Sequence, residues 1–330
     1  MPVTVRLSLP GDLRREGARS LGGMTRVALV LNPVKRRADQ LVPLLAAACA
    51  ERGWPEPTVL ETTVAETGAA QAAAAAKGGA RLVLAAGGDG TVRSVAQGVH
   101  PFAQPDGVVM GVVPLGTANL FAHNLGLPIR DLRAALALAL DGTARPVDLG
   151  LATFDEERVE HPFLVLAGFG HDAATVAATR DELKHRIGWP AYILPAARHA
   201  IRRPVPMSVS LDGEVARPLR AWSVLAANAS RVRAGVRITA GAELDDGLLE
   251  VLEVTVRRPD QWLPIAAKGV LGLRRDVPGL VTRSAREVEI VASDPQHVQL
   301  DGDITADVSR VRVRLMHQAV MVNGTRERAR

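Results

Sequence analysis

Short apolar runs alternate with longer amphipathic stretches over the first 145 residues of the chain. Runs of this kind are typical of strands that are buried on both faces, whereas apolar positions three or four residues apart indicate helices. The predicted strands are 27–31, 58–62, 82–86 and 108–114, and the predicted helices are about 40–52, 65–77, 92–99 and 131–141. The alternation predicts an α/β fold, a doubly wound parallel sheet with helices on both faces.

The pattern changes after residue 145, where strand-like runs recur with Asp-Gly turns between them. Such runs predict a mostly antiparallel β-sandwich domain. They are 163–167, 207–211, 221–227, 248–256, 287–292 and 311–316, with helical insertions at about 189–201 and 259–273. We therefore expect a flexible tail (1–24, with Met24 as an alternative start), an α/β domain (25–145), a β-rich domain (146–318) and a C-terminal tail (319–330) able to return to the first domain.

Two glycine-rich segments each follow a predicted strand and precede a helix-like stretch. They are Gly87-Gly88-Asp89-Gly90-Thr91 and Pro114-Leu115-Gly116-Thr117-Ala118-Asn119-Leu120-Phe121. Parallel α/β sheets bind ligands at the carboxyl ends of their strands. Glycines let backbone N–H groups approach phosphate oxygens, and a helix N-terminus adds partial positive charge. The two segments predict a nucleotide site.

Asp89 does not suit a simple phosphate cradle, because a carboxylate repels phosphates unless it holds a metal ion or accepts a proton. Thr91 and Thr117 can cap the helices that follow, and Asn119 supplies a donor and an acceptor. The alternative is an Asp-Gly turn beside an ordinary helix cap.

These motifs resemble the diacylglycerol kinase catalytic-domain family and its bacterial lipid-kinase relatives, within the NAD kinase-like superfamily. The resemblance runs in order from about residue 26 to residue 303. It continues through Asn32-Pro33, Val147-Asp148-Leu149-Gly150, Ala167-Gly168-Phe169-Gly170, Asp245-Asp246-Gly247-Leu248 and Asp301-Gly302-Asp303. GGDGT alone also resembles NAD kinases, whereas PLGTANLF is similar to the lipid-kinase form of the second loop.

The resemblance implies an ATP site at the carboxyl edge of the first sheet. Its expected residues are Asn32, Pro33, Lys35, Thr62, Gly87, Gly88, Asp89, Gly90, Thr91, Gly116, Thr117 and Asn119. Relatives usually continue Asn-Pro with Ser-Gly, whereas this chain has Val34-Lys35-Arg36-Arg37, whose basic side chains are either phosphate ligands or a solvated helix start. Thr63 is the alternative to Thr62.

Asp301-Gly302-Asp303 occupies the place of a family Asp-Gly-Glu motif whose glutamate is regarded as the general base. Asp303 would take that role with one methylene less, and a base must come within about 3 Å of its proton. Asp301 and Asp89 are the reserve candidates. Asp212-Gly213-Glu214 spells the family motif but lies too early and predicts a hairpin turn.

The resemblance also implies metal ions and an acceptor cleft. Asp89 would help to hold catalytic Mg²⁺, and Asp246, with backbone carbonyls of Glu243 and Leu248, would hold a structural cation, although a solvated hairpin turn fits those acids equally well. Gly168, Gly170, Asp172 and Lys184 would line the acceptor-lipid cleft.

Composition narrows the class of partner. The net charge is +5, which suits nucleotide phosphates or an anionic membrane surface, and aromatic residues are only 3%, which disfavours nucleic acid. Cys49 is the only cysteine, so no intrachain disulfide can form. No apolar stretch reaches the roughly 20 residues of a membrane span. We expect a cytoplasmic protein, peripheral at the inner membrane surface, with a homodimer left open.

The sequence thus predicts an Mg²⁺-dependent lipid kinase that transfers the ATP γ-phosphoryl group to diacylglycerol or a similar lipid alcohol. A kinase for a soluble acceptor such as NAD is the first alternative. The second is a non-catalytic nucleotide- or lipid-binding protein of the same fold.

Overall fold

The computed structural model describes residues 25–103, 107–172, 202–232, 239, 241–271 and 276–325. Its first part is a parallel sheet of strands in the order β4-β3-β1-β2. The elements are β1 (Val27–Leu31), α1 (Ala38–Glu51), β2 (Thr58–Glu61), α2 (Ala69–Lys77), β3 (Leu82–Gly87), α3 (Asp89–Val99), β4 (Val109–Pro114), α4 (Leu120–Asn124) and α5 (Leu132–Asp141). The predicted α/β fold is confirmed.

Helices cover both faces of this sheet because its central strands are apolar throughout. Successive residues of β1 enter opposite cores: Leu29 packs in the core with α1 and α5, and Val30 in the core with α2 and α3. A strand buried on both faces must read as a continuous apolar run. This is why β1, β3 and β4 can be predicted from the sequence.

The second part is mainly antiparallel, as predicted, and forms the β-sandwich portion of the chain. Its strands are β5 (Thr143–Phe154), β6 (His161–Phe163), β7 (Leu166–Gly170), β8 (Val205–Leu211), β9 (Arg217–Ala221), β10 (Ser223–Ala227), β11 (Leu249–Val254), β12 (Leu280–Ala285), β13 (Glu287–Leu300) and β14 (Asp303–Gly324). The second predicted insertion contains a 3₁₀ turn, Pro259–Gln261, and helix α6 (Trp262–Leu271).

Strand β14 joins the two parts. It pairs antiparallel with β13 and with β5, and its last residues pair in parallel with β4, Met321 beside Val109 and Val322 beside Met110. Strand β5 crosses residue 145, so the division of the chain into domains there stays a prediction. The predicted tail 1–24, Met24, the insertion 189–201 and Lys184 lie outside the described residues.

Candidate active site

The two glycine segments lie side by side at the carboxyl edge of the parallel sheet. β3 ends at Gly87 and β4 at Pro114, and Leu115 N–H donates to the Gly87 carbonyl at 2.8 Å. A Cβ on Gly116 would lie 2.6 Å from the Gly88 Cα, closer than real Cβ contacts allow. The adjacent loops therefore require glycine at position 116.

Asn119 closes the second loop on itself. Its backbone is left-handed (φ 47°), its Oδ1 accepts the Gly116 N–H at 2.9 Å, and its Nδ2 donates to the Gly116 carbonyl at 2.8 Å. Both ends of this buried amide are thus engaged within the loop. Thr117 is exposed at the loop tip. Nucleotide contact by either residue stays a prediction.

The end of β1 meets the first glycine loop. Asn32 N–H donates to the Ala86 carbonyl at 2.9 Å, and Asn32 Nδ2 lies 3.5 Å from the Thr91 hydroxyl. Buried Thr91 in turn packs against Gly87, where a Cβ would come within 2.5 Å of it. Asn32, Gly87 and Thr91 therefore converge, as their predicted common site requires.

The predicted ATP-site residues Thr62 and Pro33, and Thr63 as the alternative to Thr62, follow β1 and β2 at the same edge of the sheet. Thr62 is buried, and its N–H donates to the Leu31 carbonyl at 2.8 Å. Thr63, the alternative, uses its hydroxyl to accept the Glu66 N–H at 3.0 Å. Pro33 is exposed. The choice between the two threonines stays open on these contacts.

A basic cleft of about 610 Å³ opens beside the second glycine loop. One wall is Leu115–Thr117, and its cationic residues are Lys35, Arg36, Arg37 and Arg130. Lys35 reaches the first loop, since its Cε lies 3.9 Å from where a Cβ of Gly88 would be. The cleft suits a polyanion whose phosphates extend towards the glycine loops.

Asp89 is the first residue of α3, three residues before the predicted start of that helix, and its carboxylate is largely buried. Its Oδ1 lies 3.4 Å from the Phe121 N–H. Burial raises the pKa of Asp89 to about 6, the Asp301 and Asp303 charges act in the same direction, and backbone N–H groups of Phe121 and Leu120 oppose it. The structure thus brings the three predicted catalytic aspartates near one another.

Asp301 and Gly302 form the two-residue turn between β13 and β14, with positive φ angles of 52° and 83°. The buried Asp301 carboxylate accepts N–H groups from Leu164 at 2.9 Å, Val165 at 2.8 Å and Leu166 at 3.0 Å. Burial raises the pKa of Asp301, opposed by Arg93 and by these donors. Asp301 therefore anchors the turn to the segment that precedes β7.

Asp303 follows this turn, and its side chain is 28% exposed. Its Oδ2 lies 3.0 Å from Arg93 Nη1. The same oxygen lies 3.3 Å from where a Cβ on Gly90 would be. The carboxylate that was predicted to be the base therefore lies directly against the first glycine loop.

The predicted acceptor-cleft residues connect to the same turn. Asp172 Oδ1 accepts from the Ser223 hydroxyl at 2.7 Å, and its Oδ2 accepts from Gln299 Nε2 at 3.3 Å. Gln299 Oε1 accepts the Gly302 N–H at 2.7 Å. A Cβ on Gly168 would lie 2.0 Å from Asp172 Oδ2, so a side chain there would displace the Asp172 carboxylate. Gly170, at the end of β7, has a φ of 114°.

The acidic loop 243–248 is organised by Asp148, to which sequence reasoning gave no role. Its buried carboxylate accepts N–H groups from Gly247 at 2.7 Å and Gln318 at 2.6 Å, and it lies 2.9 Å from His317 Nδ1. Asp148 stands within the apolar run of β5, a pattern that could have marked it as buried. It ties β5 and β14 to the loop.

The structural cation predicted at this loop stays a prediction. Asp246 accepts the Leu248 N–H at 2.9 Å, and burial raises the pKa of Asp246 against the opposing effect of backbone donors. Within the described ranges, no three His, Cys, Asp or Glu residues are grouped so that they could hold a metal ion. None of the described helices is long and apolar enough to cross a membrane.

Comparison with known proteins matches both parts of the chain. Residues 26–152 match the diacylglycerol kinase catalytic domain model, and residues 165–323 match the YegS C-terminal NAD kinase beta sandwich-like domain model. A solved structure of a diacylglycerol kinase from Bacillus anthracis str. Sterne superposes with a TM-score of 0.66 at 19% identity, covering 91% of this chain and 97% of that one. That likeness shows the fold alone.

Similarity to proteins of known sequence shows the family to which the chain belongs. The diacylglycerol kinase of Bacillus subtilis (strain 168) is 27% identical over 285 residues, 85% of this chain and 90% of that protein. A protein of Pseudomonas fluorescens named probable lipid kinase YegS-like is 30% identical over 315 residues, 91% of this chain and 99% of that protein. The chain belongs to the family of diacylglycerol kinases and YegS-like lipid kinases.

Proposed function

We propose that this lipid-kinase family member uses Mg²⁺ and ATP to phosphorylate the hydroxyl of diacylglycerol or a similar lipid alcohol. One observation carries the proposal: the Asp303 carboxylate lies against Gly90 of the first glycine loop. A group able to accept a proton is thereby adjacent to backbone able to hold a phosphoryl group.

ATP would bind along the carboxyl edge of the parallel sheet. The amides of the first loop would hold its terminal phosphates, and Lys35 would neutralise part of their charge, the role that a P-loop lysine has elsewhere. The basic cleft beside Leu115–Thr117 supports a polyanion in this orientation. Asn32 and Thr91 would contact the nucleotide where β1 meets β3.

Asp89 has the chemistry to bind Mg²⁺. Its raised pKa reports a buried carboxylate near two other acids, an environment that a hard cation would stabilise. The Asp301 oxygens are already taken by backbone donors, and Asp303 is paired with Arg93, so Asp89 would be the main protein ligand. When bound, Mg²⁺ supplies neutralisation of the phosphate charge.

Asp303 would act as the general base. Its carboxylate takes the proton of the acceptor hydroxyl while the lipid oxygen bonds to the γ-phosphorus, the bond to the β,γ-bridging oxygen breaks, and ADP leaves. Asp301 would position this base through the backbone of the turn. Gly168, Gly170 and Asp172 would line the entry of the lipid, which a cytoplasmic enzyme would meet at the inner membrane surface.

The test is transfer of labelled γ-phosphate from ATP with Mg²⁺ to a panel of lipid alcohols in mixed micelles, with NAD as a parallel acceptor. We expect a labelled lipid that requires Mg²⁺, and no transfer by Asp89→Asn or Asp303→Asn. Label on NAD would favour the soluble-acceptor kinase. Nucleotide binding without transfer to any lipid would contradict the proposal and favour a non-catalytic protein.

A further inference from the structure

Arg93 connects the first glycine loop to the turn that carries Asp303. It lies in α3, one helical turn after Asp89, and its side chain is 18% exposed. Its Nη1 donates to the Leu300 carbonyl at 2.8 Å and lies 3.0 Å from Asp303 Oδ2. One guanidinium thus contacts the residue before the turn and the residue after it.

Other groups already fix the backbone of this turn. The Asp301 carboxylate accepts three backbone N–H groups, and Gln299 accepts the Gly302 N–H. The fold of the turn therefore does not depend on Arg93 alone. What Arg93 adds is a direction for the Asp303 side chain, because the nitrogen that donates to the Leu300 carbonyl also pairs with Asp303 Oδ2.

That direction matters because Asp303 is short. The motif that Asp301-Gly302-Asp303 resembles ends in a glutamate, and one methylene less shortens the reach of the side chain by roughly 1.5 Å. Its oxygen nevertheless lies against Gly90, on the side where Arg93 holds it. Misplacing a catalytic group by about 1 Å can cost a factor of about 100 in rate.

We propose that Arg93 is a positioning residue that holds the Asp303 carboxylate against the glycine loop and so lets the short aspartate side chain serve as the base. The inference rests on the proposed function. It makes positions 93 and 303 a functional pair: an aspartate at 303 needs Arg93, and a glutamate at 303 does not.

The test compares wild type, Arg93→Gln, Arg93→Lys, Asp303→Glu and the double variant Arg93→Gln/Asp303→Glu in the lipid transfer assay. We expect Arg93→Gln to lower kcat by about 10- to 100-fold, with KM for ATP changed less than about threefold and Arg93→Lys intermediate. The kcat of the double variant should be at least about tenfold higher than that of Arg93→Gln, because the longer glutamate side chain reaches the acceptor hydroxyl without being held by Arg93.

Arg52→Gln is the matched control, since Arg52 also pairs with an aspartate, Asp141, in this case through two nitrogens and away from the cleft. It should lower the unfolding temperature without lowering kcat. Unchanged kcat in Arg93→Gln would overturn the inference, as would a loss of kcat that Asp303→Glu does not reduce. Full activity of Asp303→Asn would overturn it too. Absence of transfer by wild type would instead overturn the proposed function and the inference with it.

Discussion

Three aspartates of one cluster have three different environments, which decide what each can do. Asp301 is saturated by backbone donors, Asp303 is paired with Arg93, and Asp89 is buried beside both. Their residue type is the same and their sequence positions give little sign of the difference. The hydrogen-bond partners make Asp301 an anchor of the turn, and the proposed chemistry rests on Asp89 and Asp303.

Replacing Asp301 should destabilise the protein. In Asp301→Asn an amide N–H would face the Leu164 N–H, which outweighs the relief of the buried charge, so we expect a net loss of about 1 to 3 kcal/mol in the free energy of unfolding. Urea unfolding would measure it. Asp212→Asn is the control, because Asp212 has the same turn but is exposed and uses a single oxygen for the Arg286 and Glu287 N–H groups. Equal losses in both variants would contradict the anchoring role.

Asp89→Asn should stabilise the metal-free protein at neutral pH. With a folded pKa of about 6, above the ordinary 3.8, the folded protein keeps a proton that the unfolded chain loses between about pH 4 and 6. Stability therefore falls as pH rises through that window, and the cost of the buried charge is complete above it. We expect a gain of about 1 to 3 kcal/mol at pH 7.5, absent at pH 4.

Thermal unfolding in a chelating buffer at both pH values would check this prediction. A variant that is equally stable or less stable at pH 7.5 would contradict it. The gain in stability should accompany loss of lipid phosphorylation, because the same carboxylate is the proposed metal ligand.

Among the elements, those with local signals could be predicted and those defined by distant partners could not. Helix α3 begins at Asp89 and not at residue 92, since Gly90 is helical despite its low propensity. Strand β5 was missed because its polar first half is ordered by β14, far along the chain. Strand β13 continues past Pro295 through a register shift, so only its first residues form a regular run.

The same rule holds for the residues of the candidate site. The glycine loops could be predicted because each follows a strand that the apolar pattern identifies. Arg93 and Asp148 could not be assigned, because their partners, Leu300, Asp303, Gly247 and Gln318, are brought to them only by the fold. The role of a charged residue cannot be predicted from the sequence pattern when its partners lie far away along the chain.

The close contact between the two glycine loops predicts that a side chain at position 116 weakens nucleotide binding. In Gly116→Ala the new Cβ must push the Gly88 backbone away, so nucleotide affinity should fall at least about tenfold. Calorimetric titration with ADP and Mg²⁺ would measure it. Gly324→Ala is the control, because a Cβ there would meet only Arg145 Nε at an ordinary 3.6 Å. Unchanged affinity in Gly116→Ala would argue against nucleotide binding between these loops.

For the whole molecule, β14 is the element shared by the parallel and the antiparallel parts of the sheet. Its final residues include Val320 and Val322, which are fully buried, and Asn323, whose Nδ2 donates to the Ala139 carbonyl at 2.9 Å. These contacts cover the outer edge of β4 and hold α5. The glycine loops and the proposed base therefore belong to one hydrogen-bonded network of strands.

Truncation should expose this dependence. A chain that ends at Gln318 loses the strand that pairs with β4, and we expect weakened nucleotide binding and a lower unfolding temperature in addition to lost activity. A chain that ends at Thr325 keeps all of β14 and is the control. Normal ADP affinity in the shorter chain would show that the parallel sheet is stable without its last strand.

Because β14 is the last of the described strands to be synthesised, the edge of β4 stays uncovered until β14 has been translated. β4 leaves the ribosome some 200 residues before the segment that covers its edge. At translation rates of about 5 to 20 residues per second this interval lasts roughly 10 to 40 s. During that time the nascent parallel sheet presents an unpaired apolar edge, the kind of surface that chaperones bind and that aggregates form from. The final residues of β14 thus decide when the α/β half of the chain first becomes safe from misassembly.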